Sequence, residues 1–188
     1  MSTMTAKKPT RFHPHKFAML VGIASIVMLF AALTSAYLVR KGAGNWQLFT
    51  LPYIFWISTV IVMLSSVTMH FTVKAFRTGD YVKYKKLLGL TTLLGVSFLI
   101  SQVMGWNQMH SLGLLLTGNP SVSFVYIISG THAVHMLGGV IALVIYYIIA
   151  RRKKYNPNNL TKVELVSIYW HFVDILWVYL FIFFQINI

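Results

Sequence analysis

The chain has no cysteine, and only three of its 188 residues are acidic: Asp80, Glu164 and Asp174. Without cysteine it can form no disulfide, no thiolate metal site and no iron–sulfur cluster of its own. With three acids it has little material for paired-carboxylate catalysis. No nucleophile–base arrangement, phosphate-binding loop, acidic metal box, internal repeat or low-complexity segment is visible. Charged residues of either sign make up 10% of the chain, against about 25% in an ordinary globular protein. So few charges cannot cover the surface of a soluble domain of this size. What is present instead is apolar: 57% hydrophobic residues, 15% aromatic, and a mean hydropathy of +0.69. The composition reads as an integral membrane protein.

A helix needs roughly 20 mostly apolar residues to cross a bilayer. Five runs qualify: 17–39, 51–73, 87–106, 122–150 and 163–186. The fourth is long enough to tilt or overhang. The runs are continuously apolar rather than alternating, which excludes a transmembrane β-barrel. The expectation is an all-α bundle of five transmembrane helices in one membrane domain, 1–188, led by a basic cytoplasmic tail, 1–16. That tail is polar, and the run after it is too long for the core of a cleavable signal peptide.

The formal charge is +13, from 16 Lys and Arg. The basic residues sit in clusters between the apolar runs, which argues for membrane topology rather than nucleic acid. The tail holds Lys7, Lys8, Arg11 and Lys16. The second loop holds Lys74, Arg77, Lys83, Lys85 and Lys86, and the fourth holds Arg151, Arg152, Lys153, Lys154 and Lys162. The first loop has Arg40 and Lys41 alone, and the third loop and C-terminus have none. The positive-inside rule then places the N-terminus in the cytoplasm and the C-terminus outside. Trp46, Tyr53, Trp56 and Trp106 fall near outer span ends, as interfacial anchors do.

Ionisable groups inside a bilayer are costly and face a partner or a cavity. The fourth span carries His132 and His135 at i, i+3, and Gly139 continues that face. The fifth carries His171 and Asp174 at the same spacing, with Glu164 two turns earlier. Three readings are open. The histidines and Asp174 satisfy one another as a structural lock, they handle protons, or, with His70, they ligate a metal or haem. A zinc or copper site needs three or four ligands at one depth, a haem needs histidines on facing helices with small residues beside them, and His70 lies near a span end. Under the lock reading, Asp174→Leu strands histidine partners at a cost of about 1–2 kcal/mol. Small residues mark expected helix contacts, within the chain or with another subunit: Gly22, Ser25, Leu29, Ala32 and Ala36 in the first span, Gly95, Gln102 and Gly105 in the third, Gly130 and Gly139 in the fourth. Gln102 is also a candidate interhelical hydrogen bond.

Two strings resemble one family. Ser123 to Gly139, SFVYIISGTHAVHMLGG, is similar to the pattern F…TG-x-H-x-x-H-V-x-x-G. Tyr169 to Trp177, YWHFVDILW, is similar to YWHFVD-x-x-W. Both patterns belong to subunit III of the haem–copper oxidases, the cytochrome c and quinol oxidases, whose members have seven spans, or five when the first two are absent. Glu164 falls where that family places an acid. Two departures stand out: Ile26 and Gly105 occupy positions where the family carries carboxylates, so no role of those acids is implied here.

The resemblance implies a non-catalytic subunit of a proton-pumping respiratory terminal oxidase in the bacterial inner membrane. It would have no redox cofactor of its own; haems and copper would lie in partner subunits. It would pack on subunit I, neighbour subunit II, bind phospholipid and stabilise the complex during turnover, with membership of a larger respiratory supercomplex left open. Arg40, Arg151, Arg152 and Lys162 are candidate head-group contacts. Whether cytochrome c or quinol is the donor is not written in this chain. A rival of another class is an independent proton or solute transporter built on the histidine faces, although no paired half-helices or repeat supports it.

Overall fold

A computed structural model describes residues 14–152 and 160–188. The basic tail up to residue 13, and Lys153 and Lys154, lie outside the described residues. The chain forms five helices, α1 (Pro14–Gly42), α2 (Ile54–Arg77), α3 (Tyr81–Ser111), α4 (Pro120–Arg152) and α5 (Leu160–Asn187). All five are long and apolar enough to cross a membrane.

The helices overrun the apolar stretches. α3 has 31 residues, roughly 46 Å at 1.5 Å per residue, against a hydrocarbon core of about 30 Å. The bilayer fixes the apolar length, whereas backbone hydrogen bonding continues until a cap stops it. For α3 the cap is Asp80, whose side chain accepts from the Lys83 N–H at 3.0 Å. The turn before it is made by Gly79 at φ +75°, a conformation that suits glycine. For α4 the signal is Asn119-Pro120. Asn119 Oδ1 accepts from the Ser121 N–H at 3.0 Å, and proline occupies the first helical position. The same Asn119 side chain accepts from the Gln47 N–H at 3.3 Å and donates to the Asn45 carbonyl at 3.2 Å. One residue thus caps α4 and ties down the loop between α1 and α2.

α2, α3, α4 and α5 pack as a closed ring in which α2 and α4 each contact both α3 and α5. α1 lies outside the ring, along α4 and α5. It buries one face through Phe30, Thr34 and Tyr37. Its end is pinned to α5, where Lys41 Nζ and the Tyr37 hydroxyl donate to the Asn187 carbonyl at 2.6 and 3.3 Å. A lysine on the last carbonyls of a helix also complements its dipole. At the opposite end of the bundle, Glu164 bonds Arg77 at 2.8 Å with Lys16 at 3.9 Å, and the Tyr81 hydroxyl donates to the Ala150 carbonyl at 2.7 Å.

The ring is wedged by two tryptophans of α5, Trp170 and Trp177, both fully buried. Trp170 lies against Gly95 of α3 and Gly139 of α4. A Cβ on Gly95 would stand 2.6 Å from its Cη2, and one on Gly139 would stand 3.1 Å from its Cε3. The glycines are small because the indole is where their side chains would be.

Candidate functional site

The polar residues of α5 form one stripe at i, i+3, i+7 and i+10: Glu164, Ser167, His171 and Asp174. The stripe faces α2, and hydroxyls of α2 meet it. His171 Nδ1 is 2.7 Å from Ser66 Oγ, and Asp174 Oδ2 accepts from Ser65 Oγ at 3.3 Å. Trp170 Nε1 donates to Ser65 Oγ at 3.2 Å, and Trp177 Nε1 donates to Thr59 Oγ1 at 3.0 Å. Gln102 of α3 joins from the other side, its Nε2 donating to Ser58 Oγ at 3.0 Å.

The expected lock, with histidines and Asp174 satisfying one another, is not what holds these residues. Asp174 is 2% exposed, its Oδ1 has no partner among the described residues, and the Ser65 hydroxyl that meets its Oδ2 is shared. Ser65 has a single hydroxyl hydrogen and sits closer to the Val62 carbonyl, at 2.8 Å, than to the carboxyl. His135 Nδ1 is 2.8 Å from the Thr131 carbonyl of its own helix. His132 is 0% exposed, and neither ring nitrogen has a hydrogen-bond partner among the described residues. It is enclosed by Phe30, Phe98 and Trp177, with ring centroids at 6.3, 5.9 and 5.1 Å. The physical reason is geometric: α4 meets α5 through glycine and aromatic surface, while the polar stripe of α5 is turned toward α2.

The energetics follow. Interhelical hydrogen bonds in membranes average about 0.6 kcal/mol, with a maximum of about 1.7. Asp174→Leu, measured by denaturant titration of the full chain in mixed micelles, is therefore expected to stay within about 1 kcal/mol of the parent. Ser66→Ala, which removes the shorter bond to His171, is expected to cost as much or more. A substantially larger loss for Asp174→Leu would mean that the carboxyl anchors a network beyond Ser65.

The α2 hydroxyls were not singled out from the sequence. Their signal is a spacing of seven: Ser58, Ser65 and Thr72 on one line, Thr59 and Ser66 on the next. Read against the polar stripe of α5, that spacing marks one helix face as its partner.

The residues expected at helix contacts divide. Gln102 and Gly139 are buried between helices of this chain, as are Gly95 and Gly105. A Cβ at Gly105 would meet Ile54 Cγ2 at 2.9 Å and Phe55 Cε2 at 3.0 Å, so the family's acidic side chain has no room there. Gly22, Ser25, Leu29, Ala32 and Ala36 lie on the exposed face of α1, and Ser25 Oγ turns back to the Val21 carbonyl at 3.0 Å. Gly130 is half-buried with open space beside it. Among the described residues, then, the small face of α1 and Gly130 touch no other helix closely.

Of the candidate head-group residues, Arg40 donates to the Gly44 carbonyl at 2.9 Å, and the Arg151 guanidinium lies 5.5 Å from the Tyr147 ring centre. Arg152 is exposed and Lys162 is exposed. Trp106 is held by Ser129 at 3.0 Å and Trp46 packs edge-on against Tyr37 at 4.7 Å, while Tyr53 and Trp56 are exposed. A zinc or copper centre needs three or four ligands converging. Among the described residues no three of His, Asp and Glu come together, and His132 is walled by aromatics. The donor set does not fit such a centre.

With this geometry in place, the comparisons with known proteins are specific. Residues 6–187 match the family model described as "Cytochrome c oxidase subunit III". The chain is 33% identical over 171 residues to cytochrome c oxidase subunit 3 of Corynebacterium diphtheriae (strain ATCC 700971 / NCTC 13129 / Biotype gravis), covering 87% of this chain and 83% of that protein. It is 30% identical over 159 residues to cytochrome c oxidase subunit 3 of Bacillus sp. (strain PS3), covering 82% and 76%. Cytochrome c oxidase subunit 3 of Bacillus subtilis (strain 168) is 27% identical over 160 residues, covering 82% and 77%. Five membrane-length helices, the two histidine-bearing motifs on α4 and α5, and a match across nearly the whole sequence lead to one conclusion: the chain is a multi-pass membrane protein of the cytochrome c oxidase subunit III family.

Proposed function

We propose that the chain serves as a non-catalytic subunit of a proton-pumping terminal oxidase that reduces O₂ to water in a bacterial inner membrane. In this reading its N-terminus is cytoplasmic and its C-terminus outside, because the basic clusters fall at one end of the bundle. It packs against subunit I, with subunit II as a further neighbour, holds phospholipid, and steadies the complex during turnover. The observation that carries the reading is the family match over residues 6–187. The seating of the ionisable groups supports it. His171 and Asp174 are met by hydroxyls of a neighbouring helix, and His135 by a carbonyl of its own helix, an arrangement that ties them into the packing of the bundle. The exposed small-residue face of α1 is the surface offered to a neighbouring subunit, since small residues let helix backbones approach closely.

The test is mild extraction of the tagged chain from its host membrane, read by optical spectrum and oxygen electrode. Co-purified haem with cyanide-sensitive O₂ consumption is the expected result, and consumption sustained by cytochrome c rather than quinol identifies the donor. A colourless preparation, under conditions in which the host's oxidase survives extraction, overturns the reading. Proton or solute flux in liposomes holding this chain alone would then favour a transporter.

A further inference from the structure

Ser66 is the exception among the hydroxyls of α2. Ser58, Thr59, Ser65, Thr68 and Thr72 each donate to a carbonyl of their own helix at 2.8 or 2.9 Å. Among the described residues Ser66 makes no such bond. Its partner is His171 Nδ1 at 2.7 Å, and its hydroxyl also reaches the Asp174 carboxyl. It thus stands between a titratable ring and a titratable acid of α5. The two ends of this short line differ. His171 borders a groove of about 570 Å³ between α2 and α5, together with His70, Lys74, Arg77, Glu164 and Ser167. Charged side chains keep such a groove wet, and it opens at the basic end of the bundle. Asp174 is buried, and no charged group among the described residues acts on it. Towards it α2 presents the hydroxyls of Ser65 and Ser66. Its own helix presents Trp170 and Trp177, and behind these indoles stand Gly95 and Phe98 of α3 and His132 of α4. Beyond Asp174 the polar line stops: Val62 of α2 is fully buried, and Trp177 closes against Phe55, Phe98 and His132.

We propose that Asp174 is a proton-binding site that exchanges with water at the basic end alone, through Ser66 and His171. An ionised carboxylate would stand uncompensated here, whereas the neutral acid has an acceptor for its hydrogen. The acid donates to Ser66 Oγ, Ser66 donates to His171 Nδ1, and the ring keeps its own hydrogen on Nε2. Release follows the same line. The acid proton passes to Ser66 Oγ while the Ser66 hydroxyl proton passes to His171 Nδ1, and the imidazolium so formed gives its Nε2 proton to water in the groove. One proton enters the water, one carboxylate is left, and uptake is the reverse. Imidazole suits the outer step because one ring nitrogen accepts while the other releases. The path is blind, which separates it from a channel: a proton can be held at Asp174 but not carried across. None of this depends on the oxidase reading.

The test is rapid-mixing infrared spectroscopy of the full-length chain moved from H₂O to D₂O. The chain has three acidic side chains, so the C=O stretch of a protonated carboxyl stands almost alone. One such band is expected at neutral pH, moving to lower frequency as deuterium arrives. Asp174→Asn removes it, Asp174→Glu shifts it, and Asp80→Asn and Glu164→Gln leave it in place. Asp174→Glu assigns the band even where Asp174→Asn fails to fold. Exchange is expected to slow about a hundredfold in Ser66→Ala and in His171→Phe, the low end of what a positioned proton-transfer group contributes. Ser66→Thr, which keeps the hydroxyl, is expected to retain the parent rate. A purely structural role predicts the opposite sign, because replacements that loosen the bundle quicken exchange by opening it. No exchangeable carboxyl band, a band indifferent to Asp174→Glu, or exchange in Ser66→Ala and His171→Phe as fast as in the parent or faster overturns the proposal. Proton flux across liposomes holding this chain alone would also overturn it, since the path would then be open at both ends.

Discussion

Trp170→Ala is expected to be among the most damaging single substitutions in this chain, lowering the stability of the folded bundle by about 3–5 kcal/mol. The indole touches three helices at once. Its ring occupies the space that side chains at Gly95 of α3 and Gly139 of α4 would need, and its Nε1 donates to Ser65 of α2. In a bilayer the helices gain little from expelling one another's apolar surface, because lipid tails are as apolar as leucine. What holds the ring closed is close packing, and the dispersion attraction that a void interrupts has no substitute. Alanine also withdraws the hydrogen bond that orients Ser65, and with it the hydroxyl facing Asp174. The measurement is denaturant titration of the full chain in mixed micelles, with a packing control. Gly95→Leu alone should cost about 1–3 kcal/mol by overfilling the same space. In the Trp170→Ala background it should restore part of the loss, because the leucine enters the void. A double-mutant cycle that came out additive would show that the two positions do not share this contact.

That wedge also shows how much of the fold was legible in the sequence. The five apolar runs, the glycines at 95, 105 and 139, and the polar stripe of α5 are all periodic, and periodicity survives without coordinates. Helix ends were less legible: α3 begins at Tyr81 rather than near 87, because Asp80 and Gly79 decide it locally and hydropathy does not register a cap. Pairing of polar groups was the least legible. His132, His135, His171 and Asp174 attract attention as rare residues in a membrane, and chemical similarity suggests that they meet. Which face of α5 opposes which helix depends on crossing geometry that no single helix encodes. The partners were small hydroxyls on α2, among the commonest polar residues in a membrane helix and the easiest to pass over. The stripe from Gly22 to Ala36 carried the same lesson in reverse. Its spacing suggested a contact face, but spacing does not tell whether such a contact would lie inside the chain, and here that face is exposed.

His132 separates the lock from its opposite through the sign of one substitution. A lock loses stability when a member is removed. The ring of His132 is fully buried among Phe30, Phe98 and Trp177 and has no hydrogen-bond partner for either nitrogen among the described residues. A buried polar atom without a hydrogen bond costs about 1–3 kcal/mol, whereas an apolar side chain of similar volume carries no such cost. His132→Leu is therefore expected to raise the stability of the isolated chain by about 1–2 kcal/mol, seen as a later midpoint in the same titration. His132→Gln, which keeps the polar burden, is expected to give no gain. A loss of stability on His132→Leu would return the histidine to a structural network. A gain gives the same variant a second use in the assembled oxidase. Residues retained against stability are commonly retained for activity. If the stabilised subunit shortens the turnover lifetime of the complex while still co-purifying with haem, His132 acts on the working enzyme rather than on the fold of its own chain.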